Sequence, residues 1–464
     1  MISLQKLEYD SILRSEKTKF TKKSCNLELQ DIDMIQESVQ RLLNRGKNED
    51  NYLNQSSPSI YMVPHVIRDL SPSSFDPQLV SIGPLHREHK NVQEFEGQKA
   101  AYMLNLMRRI NSPQEEILES CMQKAYNSMN KIKACYKWRK VYSDADIAEM
   151  MVMDACFILE YMIEHHISAN PLAEKILQTH VVLHDLMLLE NQIPLFFVDE
   201  IFQATVLKRD PNILLIKLIY PILSWNSIFQ TSLNIANVSI SNTDHILSIL
   251  HQIYKPQDDT KVDNMSWSRI HTAVEIDRAG VNIKPNKDPT WVMGMEVKQH
   301  RYARYFGSWI NPTLTMPVLR VHDSTELVFR NLIAYESTFK TQRYVTSYAF
   351  VMDMLVNTQE DVAKLMESRV LNNFMGSNEE AANMINNICK NVSAVSYYVE
   401  ECEKLNKHCN SYWPKQIAKM RSTYFNSPWS IIALVSGIIL FVLQVVQTIY
   451  TINSSGSNNS KSNK

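Results

Sequence analysis

Trp429 to Tyr450 reads WSIIALVSGIILFVLQVVQTIY. The run is 22 residues long and holds no charged side chain. At 1.5 Å rise per residue it makes a helix of roughly 33 Å, enough to cross a hydrocarbon core of about 30 Å. Its two glutamines, Gln444 and Gln447, lie close to its end. Trp429 and Tyr450 stand at its borders, where amphipathic rings favour the headgroup level. A core helix of a soluble domain is normally shorter than this, so we read a transmembrane anchor. Fourteen residues follow Tyr450, mostly Ser and Asn. The residues before the anchor are therefore expected to form one body on one side of a membrane.

That body is well supplied for folding. Of 464 residues, 45% are hydrophobic, which is ample for a core. Two or three domains, or one large one, fit the length. Nine glycines and 17 prolines favour helices over tight-turned β structure. We expect a mainly α (α+β) chain, a large helical domain with a few short strands. The organisation expected is a variable segment over 1–57, a helix-rich domain over 58–422, the transmembrane helix over 423–451 and a short polar tail over 452–464. Lysine and arginine total 48 against 49 acids, so no global field attracts nucleic acid or anionic lipid.

The first residues, MISLQKLEYDSILR, lack the apolar core of a secretory signal. Seven scattered cysteines (Cys25, Cys121, Cys135, Cys156, Cys389, Cys402, Cys409) read as free thiols in a reducing compartment. Lys415, Lys419 and Arg421 precede the anchor, and the first cation after it is Lys461. The positive-inside tendency then puts the body in the cytosol. The plasma membrane is expected ahead of endomembranes. Glycan on any of the sequons at Asn54, Asn237, Asn264 or Asn391 would reverse the orientation.

Along the chain, Asp31–Arg45 carries a helical apolar stripe. Ile60–Val63 and Leu79–Ile82 read as short extended pieces among prolines. Helices are expected over Asn91–Ile110, from Ser112 to about Trp138, and from a Ser143 cap to His165. Thr179–Asn191 is strongly apolar, and Pro194 suits the first turn of Leu195–Thr205. Apolar runs at 213–223 and 245–254 follow. Trp267–Ala279 is expected to be helical, with Gly280 as its left-handed stop. Val281–Lys284 and Met316–His322 alternate like strands that pair with each other. Further helices are expected from Asp323 to Glu336, and over Tyr344–Asn357, Glu360–Asn372, Ser377–Asn391 and Ser396–Arg421.

Chemistry is sparse. No glycine-rich phosphate loop and no G-x-S-x-G elbow is present. His86-Arg87-Glu88-His89, with His65 upstream, is the densest potential ligand set. Its spacing matches no metal motif, so it reads as a polar loop bounded by Pro84. Cys402, His408 and Cys409 form an incomplete metal pattern on a charged helix. Asp154, Asp185 and Glu190 lie in apolar helices, where burial lifts a carboxyl toward neutrality and invites an acid–base role. No nucleophile accompanies them, and the simpler expectation is that they cap backbone groups or pair with cations. Lys131, Lys133, Lys137, Arg139 and Lys140 surround Tyr136 and Trp138, a pattern suited to lipid headgroups but more often a solvated helix end. No catalytic, cofactor-binding or metal residue is assigned, and no cofactor is expected.

Several segments in order resemble the plant-specific family called domain of unknown function 247. They are Ile60-Tyr61-Met62-Val63-Pro64 with Arg68; Val80-Ser81-Ile82-Gly83-Pro84-Leu85-His86; Phe95-Glu96-Gly97-Gln98-Lys99; Met150 to Glu160; Asp185 to Val198, which contains Glu190-Asn191-Gln192-Ile193-Pro194; Ala273 to Ile283; Met316 to Glu336; and Val345 to Ser377. Leu85 stands where the family usually has an aromatic residue, and Ala155 where it has Gly. The resemblance spans about residues 58 to 450 and includes the C-terminal span. It implies a membrane-attached plant protein without established enzymatic activity and supplies no catalytic residue. Some grass members are associated with pollen-side self-incompatibility, which would imply a recognition role for a chain of that subgroup. Glu190, Asn191 and Gln192 sit at a helix–Pro–helix corner, where they can satisfy orphan backbone groups, as can Asn331 and Glu336. We therefore expect a membrane-anchored recognition or signalling protein acting through protein partners, its oligomeric state left open. The alternative is an enzyme in which Asp154, Asp185 and Glu190 converge on one cleft.

Overall fold

The structure, a computed structural model, describes residues 34–47, 58–138, 140–167, 173–236, 238–256, 270–287, 291–298, 312–338, 342–393, 397–411 and 428–459. It divides into two units, Met1–Pro58 and Ser59–Lys464. Within the first, residues 34–47 form the expected amphipathic helix, with Met34, Ile35, Val39, Leu42 and Leu43 all exposed.

The second unit is mainly helical and is built around the Asp144–Ile167 helix. Ser143 starts that helix by a reciprocal cap. Its Oγ accepts from the Asp146 amide at 3.1 Å, and its own N–H and O–H donate to Asp146 Oδ2 at 3.2 and 2.6 Å. From Ile147 to Met162 nearly every side chain is buried. A helix that is apolar all round belongs at the middle of a core. The Glu96–Arg108, Gln114–Asn127, Leu195–Ala204 and Leu215–Trp225 helices pack around it.

Two expected helices are divided. Asn91–Ile110 splits into Lys90–Gln93 and Glu96–Arg108. The helix expected from Ser112 to Trp138 ends at Asn127 and resumes over Met129–Ala134. Ser128 leaves the helical region at the break, and its hydroxyl donates to Glu200 at 3.0 Å. A tertiary bond thus outweighs local continuity.

A second layer centres on the Thr325–Thr338 helix, against which Ile246–Tyr254, Tyr344–Leu355, Asn378–Ile388 and the Pro72–Ser74 turn pack. Among the described residues, five short strands complete it: β1 (Asn282–Pro285), β2 (Glu296–Lys298), β3 (Thr313–Met316), β4 (Leu319–Val321) and β5 (Leu371–Asn373). The pairing expected between Val281–Lys284 and Met316–His322 is corrected. β1 runs parallel to β3, with Asn282 opposite Thr313, and β2 lies antiparallel on the other side of β3. Pro317, which has no N–H to donate, separates β3 from β4. β4 instead pairs parallel with β5, at the end of the run expected to be helical through Asn372. That helix stops at Glu367, and Arg369 turns the chain out at φ 59°. Gly280, at φ 88°, makes the expected left-handed exit after Ala273–Arg278.

Leu79–Ile82 is not a strand, which corrects a further expectation. The C-terminal helix runs from Pro428 to Asn459. Its Ile432–Thr451 stretch has a mean hydropathy of 2.3 and is 0% buried. Among the described residues it is the one helix long and apolar enough to cross a membrane.

Asn331 ties the two layers together. Its Oδ1 accepts from the Leu189 amide at 2.8 Å, and its Nδ2 donates to the Ser74 and Leu327 carbonyls at 2.6 and 2.8 Å. Truncation leaves a buried donor and buried acceptors unpaired. Asn331→Ala is expected to lower stability by about 1–3 kcal/mol, read as a lower thermal midpoint of the detergent-solubilised chain by circular dichroism.

Candidate functional site

Leu79–Ile82 alternates like a strand, but the amides of Gln78, Leu79, Val80, Ile82 and Gly83 all go to side chains. Asp185 accepts from the amides of Gln78, Leu79 and Val80 at 2.9, 2.8 and 2.9 Å. Asn191 Oδ1 accepts from Ile82 at 2.7 Å, and its Nδ2 donates to the Val80 and Asp185 carbonyls, both at 2.9 Å. Asp154 Oδ2 accepts from Gly83 at 2.8 Å. Gly83 sits at φ +72°, and a Cβ there would lie 2.7 Å from the Gln192 carbonyl oxygen. Only glycine meets both conditions without strain. Gln192 Nε2 donates to the Leu186 and Leu188 carbonyls at 2.7 and 2.9 Å, closing the corner before Pro194.

The three acids singled out in the sequence are thus placed, each at most 2% exposed. Asp154 also binds Lys99 Nζ at 2.6 Å, and Lys99 in turn donates to the Ser81 carbonyl at 2.8 Å. Burial raises the Asp154 carboxyl above the ordinary range, while Lys99 pulls it down. Burial pushes Asp185 up to about 6, against the three amides that favour its charge. Glu190 Oε1 accepts from the Val63 amide at 2.6 Å. Its Oε2 receives Arg68 Nη2 and His86 Nε2, the latter at 2.8 Å.

Around Glu190 the network reaches the surface. Arg68 Nη1 pairs with Asp76, whose side chain is 43% exposed. His86 is fully buried, and its Nδ1 lies 3.4 Å from Nδ1 of exposed His89. Burial, then the neighbouring His86, lowers His89 from the usual imidazole range. Ligand atoms of Asp76, His86 and His89 all lie within 4.8 Å of one another. His65, exposed on the helix after Pro64, is not among them. Sequence reading found His86 and His89 but not Asp76, ten residues upstream of His86.

The remaining candidates disperse. Lys133 pairs with Asp144 at 2.6 Å and Lys140 with Glu88, while Tyr136 is buried with its hydroxyl on the Gln192 carbonyl at 2.9 Å. Arg139 and Arg421 lie outside the described residues, as do Asn54, Asn237, Asn264 and Cys25. Cys402 and Cys409 are buried thiols, and His408 Nε2 lies 3.2 Å from the Ala279 carbonyl oxygen. Sequence reading also passed over Glu160, buried in the central helix and bound by Arg109 Nε at 2.8 and 2.7 Å. Arg109 also lines a cleft of about 370 Å³, together with Leu106, Ile110, Arg209, Ile213 and Leu218 among others.

With this geometry described, comparison with known proteins gives the lineage. The model of the plant family domain of unknown function 247, described as plant protein of unknown function, matches residues 60–443. The chain belongs to this family. A putative UPF0481 protein of Arabidopsis thaliana is 23% identical, with 88% of this chain and 92% of that protein covered. A second UPF0481 protein of the same plant is 24% identical, over 86% and 88% of the two chains. No solved structure matches.

The raised Asp185 carboxyl fixes a sign. The folded chain keeps this proton to about pH 6, whereas the unfolded chain loses it near pH 4. The group's contribution to stability is therefore full below about pH 4 and lost as pH rises through about 6. The stability of the wild type relative to Asp185→Asn is expected to fall between those values and then level off. Denaturation midpoints of both proteins across pH 4–8 check this. A difference that grows over the same interval would mean the three amides outweigh burial.

Proposed function

We propose that the chain is a single-pass, membrane-anchored plant recognition or signalling protein that acts by binding protein partners and catalyses no reaction. The observation that carries this reading is the commitment of its buried acids. Asp154, Asp185 and Glu190 each hold backbone amides, and Lys99, Arg68 and His86 occupy their remaining oxygens. A general acid or base needs an oxygen within hydrogen-bond reach of a substrate. The exposed apolar C-terminal helix supplies attachment, which suits a protein that works at a surface.

In this reading the body lies in the cytosol and the membrane is the plasma membrane. Protease added to sealed, cytosol-side-out vesicles is expected to digest the body, and exposed Asn391 is expected to carry no glycan. Full protection of the body, together with a mass loss on deglycosylation, would invert the orientation. Proximity labelling from the chain in its native tissue is expected to mark a small, reproducible set of proteins. Labelled partners on the pistil side of a pollen-expressed chain would give recognition its self-incompatibility form, and expression confined to vegetative tissue would remove that form. An Asp154→Ala variant that folds normally yet loses turnover of some substrate would overturn the binding reading.

A further inference from the structure

Glu190, His86, His89 and Asp76 form a graded set from core to surface. The Glu190 carboxylate lies 2.8 Å from His86 Nε2 and so fixes the proton on that nitrogen. In that tautomer the Nδ1 of the fully buried His86 ring offers its lone pair toward the ring nitrogen of an exposed neighbour. Histidines that bind metals are commonly oriented in this way, with the far ring N–H on a carboxylate.

The distances discriminate further. A nitrogen–nitrogen separation of 3.4 Å is long for a hydrogen bond, which normally falls at about 2.7–3.2 Å. Two nitrogens each about 2.05 Å from one tetrahedral ion stand roughly 3.3 Å apart. Asp76 supplies an oxygen within 4.8 Å of both rings. Its half-exposed side chain, one oxygen of which Arg68 holds, closes the remaining gap by a rotation that keeps the other oxygen for the ion. Two carboxylates and Arg68, with neutral imidazoles, sum to one negative charge, so a divalent cation is electrostatically admissible despite the guanidinium.

We propose that Asp76, His86 and His89 bind a divalent transition-metal ion with a preference for nitrogen and oxygen donors, of which zinc is the type, with Glu190 orienting His86. Binding clasps the Asp76 loop and the start of the Lys90–Gln93 helix to the Glu190 corner. At least one coordination position is left to water or to a donor from outside. This departs from the sequence expectation, which assigned no metal ligand because the spacing of His86 and His89 fits no motif. It stands independently of the proposed function.

The test uses the full chain in detergent, stripped with chelator and titrated with zinc by calorimetry and with cobalt(II) by visible absorption. One equivalent is expected to bind, with a cobalt spectrum free of thiolate charge transfer, and zinc is expected to raise the thermal midpoint. His89 and Asp76 are exposed enough to replace without loss of the fold. His89→Ala and Asp76→Asn are each expected to weaken zinc by more than the roughly 10–100-fold of an outer-shell change, and His89→Ala to abolish the thermal shift. Binding no tighter than background, unaltered affinity in His89→Ala, or thiolate bands in the cobalt spectrum would each overturn the proposal. The first of these would leave the 3.4 Å approach as an ordinary contact between imidazoles.

Discussion

The fold depends on how one irregular stretch satisfies its backbone. Gln78 to Gly83 has no strand partner and is buried or half-buried from Leu79 onward, yet an unpaired buried amide costs about 1–3 kcal/mol. Five of its amides go to Asp185, Asn191 and Asp154, and the Ser81 carbonyl goes to Lys99. This gives the acids a purpose that their setting otherwise opposes. Asp185 ends the Ala173–Asp185 helix, where the dipole disfavours an anion, and burial disfavours it further. Three amides offset part of both penalties. The acid is tolerated because the loop needs it, and the loop keeps its shape because the acid is there.

The same device recurs in the second layer. Glu336 is fully buried, and its two oxygens accept from the amides of Val345 and Thr346 at 2.9 and 2.8 Å, capping the Tyr344–Leu355 helix from outside. His251 Nε2 lies 2.9 Å from Glu336 and its Nδ1 2.9 Å from the Tyr344 hydroxyl. Long-range side-chain bonds then join the layers. The Tyr61 hydroxyl donates to the Ala334 carbonyl at 2.6 Å, and Asn331 spans Ser74 and Leu189. Apolar packing alone is non-directional and tolerates alternatives, whereas such buried bonds fix which segment meets which.

What the sequence made legible was local. The Asp144–Ile167 helix, the turn at Pro194 and the exit at Gly280 all follow from residues within one helical turn. The C-terminal helix was legible because length and charge decide it without any partner. The roles foreseen for Glu190, Asn191, Gln192, Asn331 and Glu336 were readable as chemistry, but their partners were not. What failed was non-local. Leu79–Ile82 alternates like a strand, and only the fold brings Asp185, over a hundred residues away, to take its amides. The helix break at Ser128 depends on Glu200, and β4 finds its partner some fifty residues on. Asp76 has no motif relation to His86 and His89, and a basic run read as one patch is divided by Asp144 and Glu88. Pattern reading treats residues on one surface as one unit, while ion pairs are set by whatever element packs alongside.

The C-terminal helix is of a different kind. The Pro428–Asn459 helix is 32 residues long, roughly 48 Å at 1.5 Å per residue, against about 30 Å of hydrocarbon. In the anchored reading proposed above, Trp429 and Tyr450 mark the two borders, and the excess lies beyond Tyr450, where the sequence turns to Ser and Asn. A tilt need not absorb it, because polar residues past the border tolerate water. The span itself offers no charged group and few polar ones for a partner within the membrane, and its two hydroxyls near the end, Thr448 and Thr451, bond back to the carbonyls of Gln444 and Gln447 at 2.8 Å each. In the binding reading proposed above, discrimination between partners would fall to the body, where directional polar groups are found.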